Sequence, residues 1–388
     1  MANFRTLLGF ELKKMFFNKI TIILLILFAG FLFGITMLEY IVISPEDQFV
    51  SRREAELEGK PLDEEMMSRI FEESARYGGL AELNGSSIYY HIARYVNRAQ
   101  GAYLDIADIS ASYNSPDTLT AEKFYQNREE LLNYLHDYFH LTDDEKSYWN
   151  SREAKIEKPF IWQANYGVSS MKANFGMLTA LAALTIGISV SGIFASESRF
   201  RTDSLIQCTR KGTKTLPFVK ILSGELFSLI VGILLLAAVQ LPHIFFNGFD
   251  GFETVCQLIT PFSSYRCTSG ELVLIFTGVY ILAILLLGAV TAFLSLMMNS
   301  TIAAGGFVCI TILLDLFLTI PPKLRILSQI RFLTPIQVLI NSSMMDPRLV
   351  RIGSSWLTNF QTSACLYAIL IVIFSCSTLL LCRKNRRS

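Results

Sequence analysis

Residues 195–220 read ASESRFRTDSLIQCTRKGTKTLPFVK. The stretch lies between two long apolar runs and holds Arg199, Arg201, Arg210, Lys211, Lys214 and Lys220 against only Glu197 and Asp203. Short connections this basic stay on the cytoplasmic face of a membrane. The segment therefore orients the runs on either side of it, and the rest of the chain is laid out from there. It is too short for a domain. A helical candidate runs from Ser198 to Cys208, and Gly212 breaks the chain before Lys220 starts the next apolar run.

The composition agrees with a membrane protein. Of 388 residues, 52% are hydrophobic and 17% charged, and the mean hydropathy is +0.41. A soluble domain carries about 25% charged residues. The net charge of +1 hides a split. Residues 44–168 hold 13 basic and 23 acidic side chains, a net of −10, and the remainder is strongly basic. An acidic water-facing piece is thus joined to a basic membrane piece.

Working outward, the apolar runs before and after the basic stretch are expected to span at 171–194 and 221–241, with further spans at 20–43, 272–298, 302–320 and 362–381. Each approaches the 20 or so residues that a hydrocarbon core of about 30 Å requires. Lys13, Lys14 and Lys19 precede the first span, which reads as a retained signal anchor, and Arg383, Lys384, Arg386 and Arg387 follow the last, so both termini and the tail 382–388 are expected inside. Residues 1–19 carry Phe4, Leu8, Leu12, Met15 and Phe16 at helical spacing, as an interfacial amphipathic helix or as the start of a long first helix.

The acidic piece 44–168 is then external and reads as helical throughout. Ser44 is expected to cap a turn at Pro45, Pro61 to open a segment with Asp63, Glu64 and Glu65 in its first turn, and Thr120 and Thr142 to cap two further helices. The third segment is expected from about Ser87 to Ile106. The tyrosines and phenylalanines of these helices are read as a small core. The −10 charge of the whole piece 44–168 suits a cationic ligand such as an antimicrobial peptide, or serves solubility alone. The connection 242–270 has turn signals at Asn247-Gly248 and Asp250-Gly251. Cys256 and Cys267 both fall in it, where an oxidising exterior would join them as a disulfide and a reducing one would leave two free thiols. Residues 321–345 are basic yet expected outside. Two short helices account for this, one through Leu324, Leu327, Ile330 and Leu333, the other at Ile336–Ile340 with Thr334 as its cap. Neither is long enough to span.

No enzyme signature emerges. There is no GxxxxGK[ST], and Lys211-Gly212-Thr213-Lys214-Thr215 lacks the leading glycine of a phosphate-binding loop. His136 and His140 stand at i and i+4, a spacing suited to zinc only with further ligands, and are read as a solvated helix face. Two charges inside spans need an account, because a charge at mid-bilayer costs roughly 2.5–3.5 kcal/mol on insertion scales. Asp315 would line a polar pathway or pair with a basic group near the outer leaflet. Glu225 sits one turn into its span, close to the interface. Gly187, Ser191, Ala303, Ala304, Gly305 and Gly306 allow close helix approach.

This layout resembles the permease subunit of ABC-2 type ATP-binding-cassette transporters. The resemblance rests on the N-terminal helix, the six spans and the paired short helices after span five. It also rests on Glu197, Thr202-Asp203, Gly212 and Lys220 in the basic loop, a pattern of Gram-positive permeases, and on the external stretch Asn247-Gly-Phe-Asp-Gly-Phe-Glu. It covers both membrane portions and omits the acidic insert. Arg201, where many members have Gly, and Cys208-Thr209, in place of Ser-Thr, depart from it. The resemblance implies an all-α exporter-type bundle of six spans with a helical extracellular domain, in a bacterial plasma membrane. It implies two cytoplasmic ABC ATPase subunits that bind ATP and magnesium, a second permease copy or relative as partner, and no cofactor in this chain. Residues 195–220 would be the coupling loop, with Glu197 to Gly212 as a coupling helix, and the cargo a peptide or lipid-like molecule exported or extracted from the membrane. The alternative is a non-transporting receptor or mechanical coupler working through the extracellular domain.

Overall fold

The computed structural model describes residues 2–41, 56–80, 82–83, 87–99, 120–200 and 215–384. Helix α1 (Ala2–Phe16) ends at Phe17-Asn18, and the Asn18 side chain accepts the amide of Ile20 at 3.0 Å to start α2 (Lys19–Ile41). The two are therefore separate helices. Among the described residues five segments are long and apolar enough to cross a membrane: residues 19–41, 166–197, 216–247, 269–298 and 359–384.

The second of these is built from α7 (Tyr166–Ala173), α8 (Phe175–Val190) and the start of α9 (Gly192–Phe200). Then come α10 (Leu216–Asn247), α11 (Ser269–Met298), the shorter apolar α12 (Thr301–Phe317) and finally α14 (Asn359–Lys384). The spans at 221–241, 272–298 and 362–381 are thus longer than expected. Pro217 is accommodated in the first turn of α10, where its missing amide costs nothing. Pro242 lies inside α10 rather than ending it, so the helix runs on to Asn247. At the start of α11, Thr268 and Glu271 satisfy each other's backbone amides in a capping box.

α11 forms the centre of the bundle. Phe276, Tyr280 and Ile284 are fully buried, Phe276 meets Phe175 at 5.5 Å between ring centroids, and the Tyr280 hydroxyl donates to the carbonyl of Gly232 at 3.0 Å. In lipid, helices associate through close packing rather than exclusion of water. Accordingly α8 and α12 meet where a Cβ on Gly187 would lie 2.5 Å from Val308, and Gly305 faces Ser191.

The insert between α2 and α7 contributes α3 (Glu64–Tyr77), α4 (Tyr90–Ala99), α5 (Ala121–Tyr138) and α6 (Asp143–Glu153). α3 is capped by Asp63, which accepts from Met66, and Pro61 sits outside it in a β-bridge to Ile161. Thr120 and Thr142 cap α5 and α6 as expected, Thr142 in a capping box with Glu145. Met67, Ile70, Ile92, Tyr95, Phe124, Phe160 and Trp162 form the insert's core. The expected cap at Ser44 and the end of the third segment, 100–106, lie outside the described residues.

After α12 the chain makes α13 (Arg325–Phe332), then single 3-10 turns at Gln337–Leu339 and Asn341–Met345. The second short helix expected at Ile336–Ile340 is only the first of these turns. Thr334 does not cap it: its hydroxyl donates to the Asp315 carboxylate and the Arg331 carbonyl. An antiparallel hairpin follows, β1 (Val350–Ile352) paired with β2 (Ser355–Leu357), with Gly353 at φ 62° in the turn. The fold is thus mainly helical with one small hairpin.

Candidate functional site

At the end of the bundle that carries residues 201–214, helices α9 and α10 are joined by a buried ion pair. Lys220 Nζ lies 2.6 Å from Glu197 Oε1 and donates to the Ile193 carbonyl at 2.6 Å, with the ring centroid of Phe194 at 5.0 Å. Lys220 is only 1% exposed. A buried cation persists only when paired and hydrogen-bonded, which these groups supply. Ser295 of α11 braces the same joint. Its hydroxyl accepts the amides of Phe194 and Ala195, both at 3.1 Å, and donates to the Ser191 carbonyl at 2.6 Å. α1 docks alongside, with Phe4 against Phe218 and Phe16 against Phe227. The charge of its Glu11 also reaches Lys220. The structure therefore brings together two of the five residues of the expected coupling pattern, Glu197 and Lys220. Thr202, Asp203 and Gly212 lie outside the described residues.

Glu225 and Asp315 do not share a site. Glu225 lies near the start of α10 and Asp315 near the end of α12, at opposite ends of the bundle. Both Glu225 oxygens are buried without a hydrogen-bond partner among the described residues. Asp315 Oδ1 accepts from Thr334 at 2.6 Å, and its carbonyl accepts from Gln337 and from Arg331. The Asp315 carboxylate thus meets a hydroxyl and not a basic side chain, and together with its carbonyl it ties α12 to the segment after α13.

At the opposite end, the insert is fastened to both neighbouring connections. Arg128 of α5, fully buried, donates to the carbonyls of Pro261 (2.9 Å) and Ser263 (3.0 Å) and pairs with Glu153 of α6. Glu153 also accepts from Ser264 at 2.9 Å. Glu145 of α6 accepts two bonds from Arg325 of α13 (2.6 and 2.7 Å) and one from the Leu349 amide (3.0 Å). Beside it lies a fully buried pair, Arg348 and Asp346, at 2.7 Å; Arg348 also donates to the Arg325 carbonyl and the Ser328 hydroxyl and stacks on Phe139. Trp149 donates to the Pro347 carbonyl at 2.5 Å.

Burial works to raise Glu145, but the bonds from Arg325, Leu349 and Thr142 outweigh it and hold its carboxyl below the usual range. Burial opposes and Arg128 secures the same outcome at Glu153. His136 is 4% exposed, not on a solvated face, and burial followed by the charge of Lys146 lowers its pKa. It has no metal site with His140, and none is formed among the described residues.

Cys256 and Cys267 are free thiols side by side at the foot of the Val255–Thr268 bridge. The Cys256 amide donates to the Cys267 carbonyl at 3.1 Å, and the Cys256 thiol to the Tyr265 carbonyl at 3.1 Å. A hydrogen bond from the Cys267 thiol, outweighing burial, draws Cys256 below the usual thiol range and raises Cys267.

Sequence reasoning missed the Glu145–Arg325 pair because its members are 180 residues apart, and missed the adjacent Asp346–Arg348 pair because nothing local shows that both are buried. It also missed a polar network joining α2, α7, α8 and α10. Tyr40 lies 2.5 Å from His243 Nδ1 and accepts from Asn247 at 2.5 Å, while the other His243 nitrogen meets Asn174 at 3.3 Å. Tyr166 (3.0 Å) and Ser170 (2.6 Å) both donate to Glu39 Oε1. Its seven polar members, all within two turns of predicted span ends, were the only signal for it. Comparison of the chain with protein-family models, curated proteins and solved structures returned no match.

Proposed function

We propose that this chain is the membrane-embedded permease subunit of an ABC-2 type transporter, acting with a separate ATPase. The observation that carries the reading is the Glu197–Lys220 pair, which locks the two helix ends framing the basic segment. A force on 201–214 reaches α9 and α10 together, since the pair, the Ile193 carbonyl and Ser295 leave no compliant joint between them. On this reading α12 is the remaining span. At 17 residues it is about 25 Å long, near the lower limit for crossing. The termini and the basic segment face the cytoplasm of a bacterial cell, and the permease works as a pair of copies or relatives on two ATPase subunits.

The second reading, a receptor or mechanical coupler, draws on the bonds from Arg128 to the Pro261 and Ser263 carbonyls and on the Glu145–Arg325 pair, which tie the insert to the connections before α11 and α14. It differs from the first only in whether cargo crosses.

The test is purification of the full chain from its native membranes with assay of ATP hydrolysis. A nucleotide-hydrolysing partner retained by the wild type and lost on scrambling 198–214, with membrane insertion intact, is the expected result. ATP hydrolysis that survives the scramble defeats the docking role. Vesicles holding the complex then separate the two readings by whether a cationic peptide or lipid substrate moves.

A further inference from the structure

We infer that Glu39, with the rings of Tyr40 and Tyr166, is a binding site for the primary ammonium of a lipid headgroup in the leaflet nearest the insert. The site lies at the ends of α2, α7 and α10, where spans meet water. Tyr166 and Ser170 both donate to Glu39 Oε1, so among the described residues the hydrogen bonds to this carboxylate fall on one oxygen. No cation among the described residues pairs with it. A carboxylate oriented by two hydroxyls, with its second oxygen unused, is an acceptor awaiting a donor.

The surrounding groups favour an alkylammonium over a metal ion or a water. The Tyr40 and Tyr166 rings meet edge-on at 6.5 Å, and Phe246 stacks on Tyr40 at 4.5 Å, so Glu39, bonded to the Tyr166 hydroxyl and next to Tyr40 in the chain, sits beside an aromatic cluster. Aromatic faces attract organic cations. Among the described residues no group of three or more potential ligands forms, too few for a divalent ion. The network fixes the rings in advance: Tyr40 is held by Asn247 and by His243, which is itself 1% exposed and held by Asn174. Pre-organised partners reduce what binding costs.

The lipid source follows from what lies beside the site. Ile41 (74% exposed), Leu241 (60%) and Phe245 (80%) present an apolar surface running from the carboxylate along the span ends. A soluble amine has no use for that surface, whereas acyl chains lie along it. Phosphatidylethanolamine supplies the three donors of a primary ammonium and the chains together.

The test uses the full chain in nanodiscs of phosphatidylglycerol with equal parts phosphatidylethanolamine, released for native mass spectrometry. The wild type should retain phosphatidylethanolamine about tenfold over phosphatidylglycerol, the ratio that one charge-assisted contact supplies. Glu39→Gln keeps an acceptor for Tyr166 and Ser170 and removes the charge, so it should fold and bring the ratio to parity. Tyr166→Phe should lower it less. Equal retention of the two lipids by the wild type, or an unchanged ratio in Glu39→Gln, overturns the site. Displacement of the lipid by ethanolammonium chloride at equal concentration overturns the lipid assignment, and displacement by an oligolysine peptide does the same in favour of a peptide. Neither result depends on ATPase recruitment, so this site and the transport reading stand or fall separately.

Discussion

Replacing Arg348 by Met probes how the insert is fastened to the bundle. Arg348 and Asp346 are both fully buried, and Arg348 carries four further ties: the Arg325 carbonyl at 3.1 Å, the Ser328 hydroxyl, and the rings of Phe139 and Phe332. Removing one partner of a buried pair costs about 3–5 kcal/mol, because the remaining charge has nothing to compensate its lost hydration. The three tryptophans of the chain, Trp149, Trp162 and Trp356, all lie in the insert or the hairpin. Trp149 donates to Pro347, the residue next to Arg348. Tryptophan emission during urea denaturation of the detergent-solubilised chain therefore reports this junction. With an m-value of about 2 kcal/mol/M, the loss corresponds to a midpoint lower by about 1.5–2.5 M. Asp346→Asn combined with Arg348→Met removes the orphaned charge and should recover part of the loss. An unchanged midpoint for the single substitution refutes the argument. So does a double variant less stable than the single, since the cost would then not come from the stranded carboxylate.

Other expectations follow from the same geometry. Glu145 and Glu153 titrate below their ordinary value when folded, so the stability they add is present above about pH 4.3 and is lost as pH falls through their lowered folded values; Glu145→Gln should shrink that acid loss in the tryptophan signal. His136 is also held low, so a first, smaller loss should begin as pH falls below about 6.5, and His136→Gln should abolish it. Mild oxidation with diamide should join Cys256 to Cys267, seen as a linked peptide two mass units lighter, and Cys256→Ser should leave Cys267 open to alkylation. On the proposed transport reading, Lys220→Met strands Glu197, so ATP hydrolysis by the co-purified partner should fall while the chain still inserts. Gly251 sits at φ +78° with the Ala164 carbonyl 2.5 Å from where a Cβ would be, so Gly251→Ala should cost about 1–3 kcal/mol or more, read as a lower urea midpoint.

Much of this protein is written in local sequence. Apolar run length places the spans at 19–41, 269–298 and 359–384 to within a few residues, because bilayer thickness and helical rise set that length independently of neighbours. Thr120, Thr142 and the Asp250-Gly251 turn were likewise legible, since a cap or a turn is decided by residues three or four apart. Lys220 and Glu197 were singled out by the resemblance of the basic loop, but their pairing was not, and α10 reached past Pro242 because packing against α2 and α7 outweighs one missing amide. What only the tertiary structure decided is which charges meet. Arg128 finds Pro261 and Ser263, Glu145 finds Arg325, and Glu39 is left with one oxygen unengaged, across separations of more than a hundred residues. A buried charge is tolerable only where the fold delivers its partner, and no local pattern in the chain encodes that meeting.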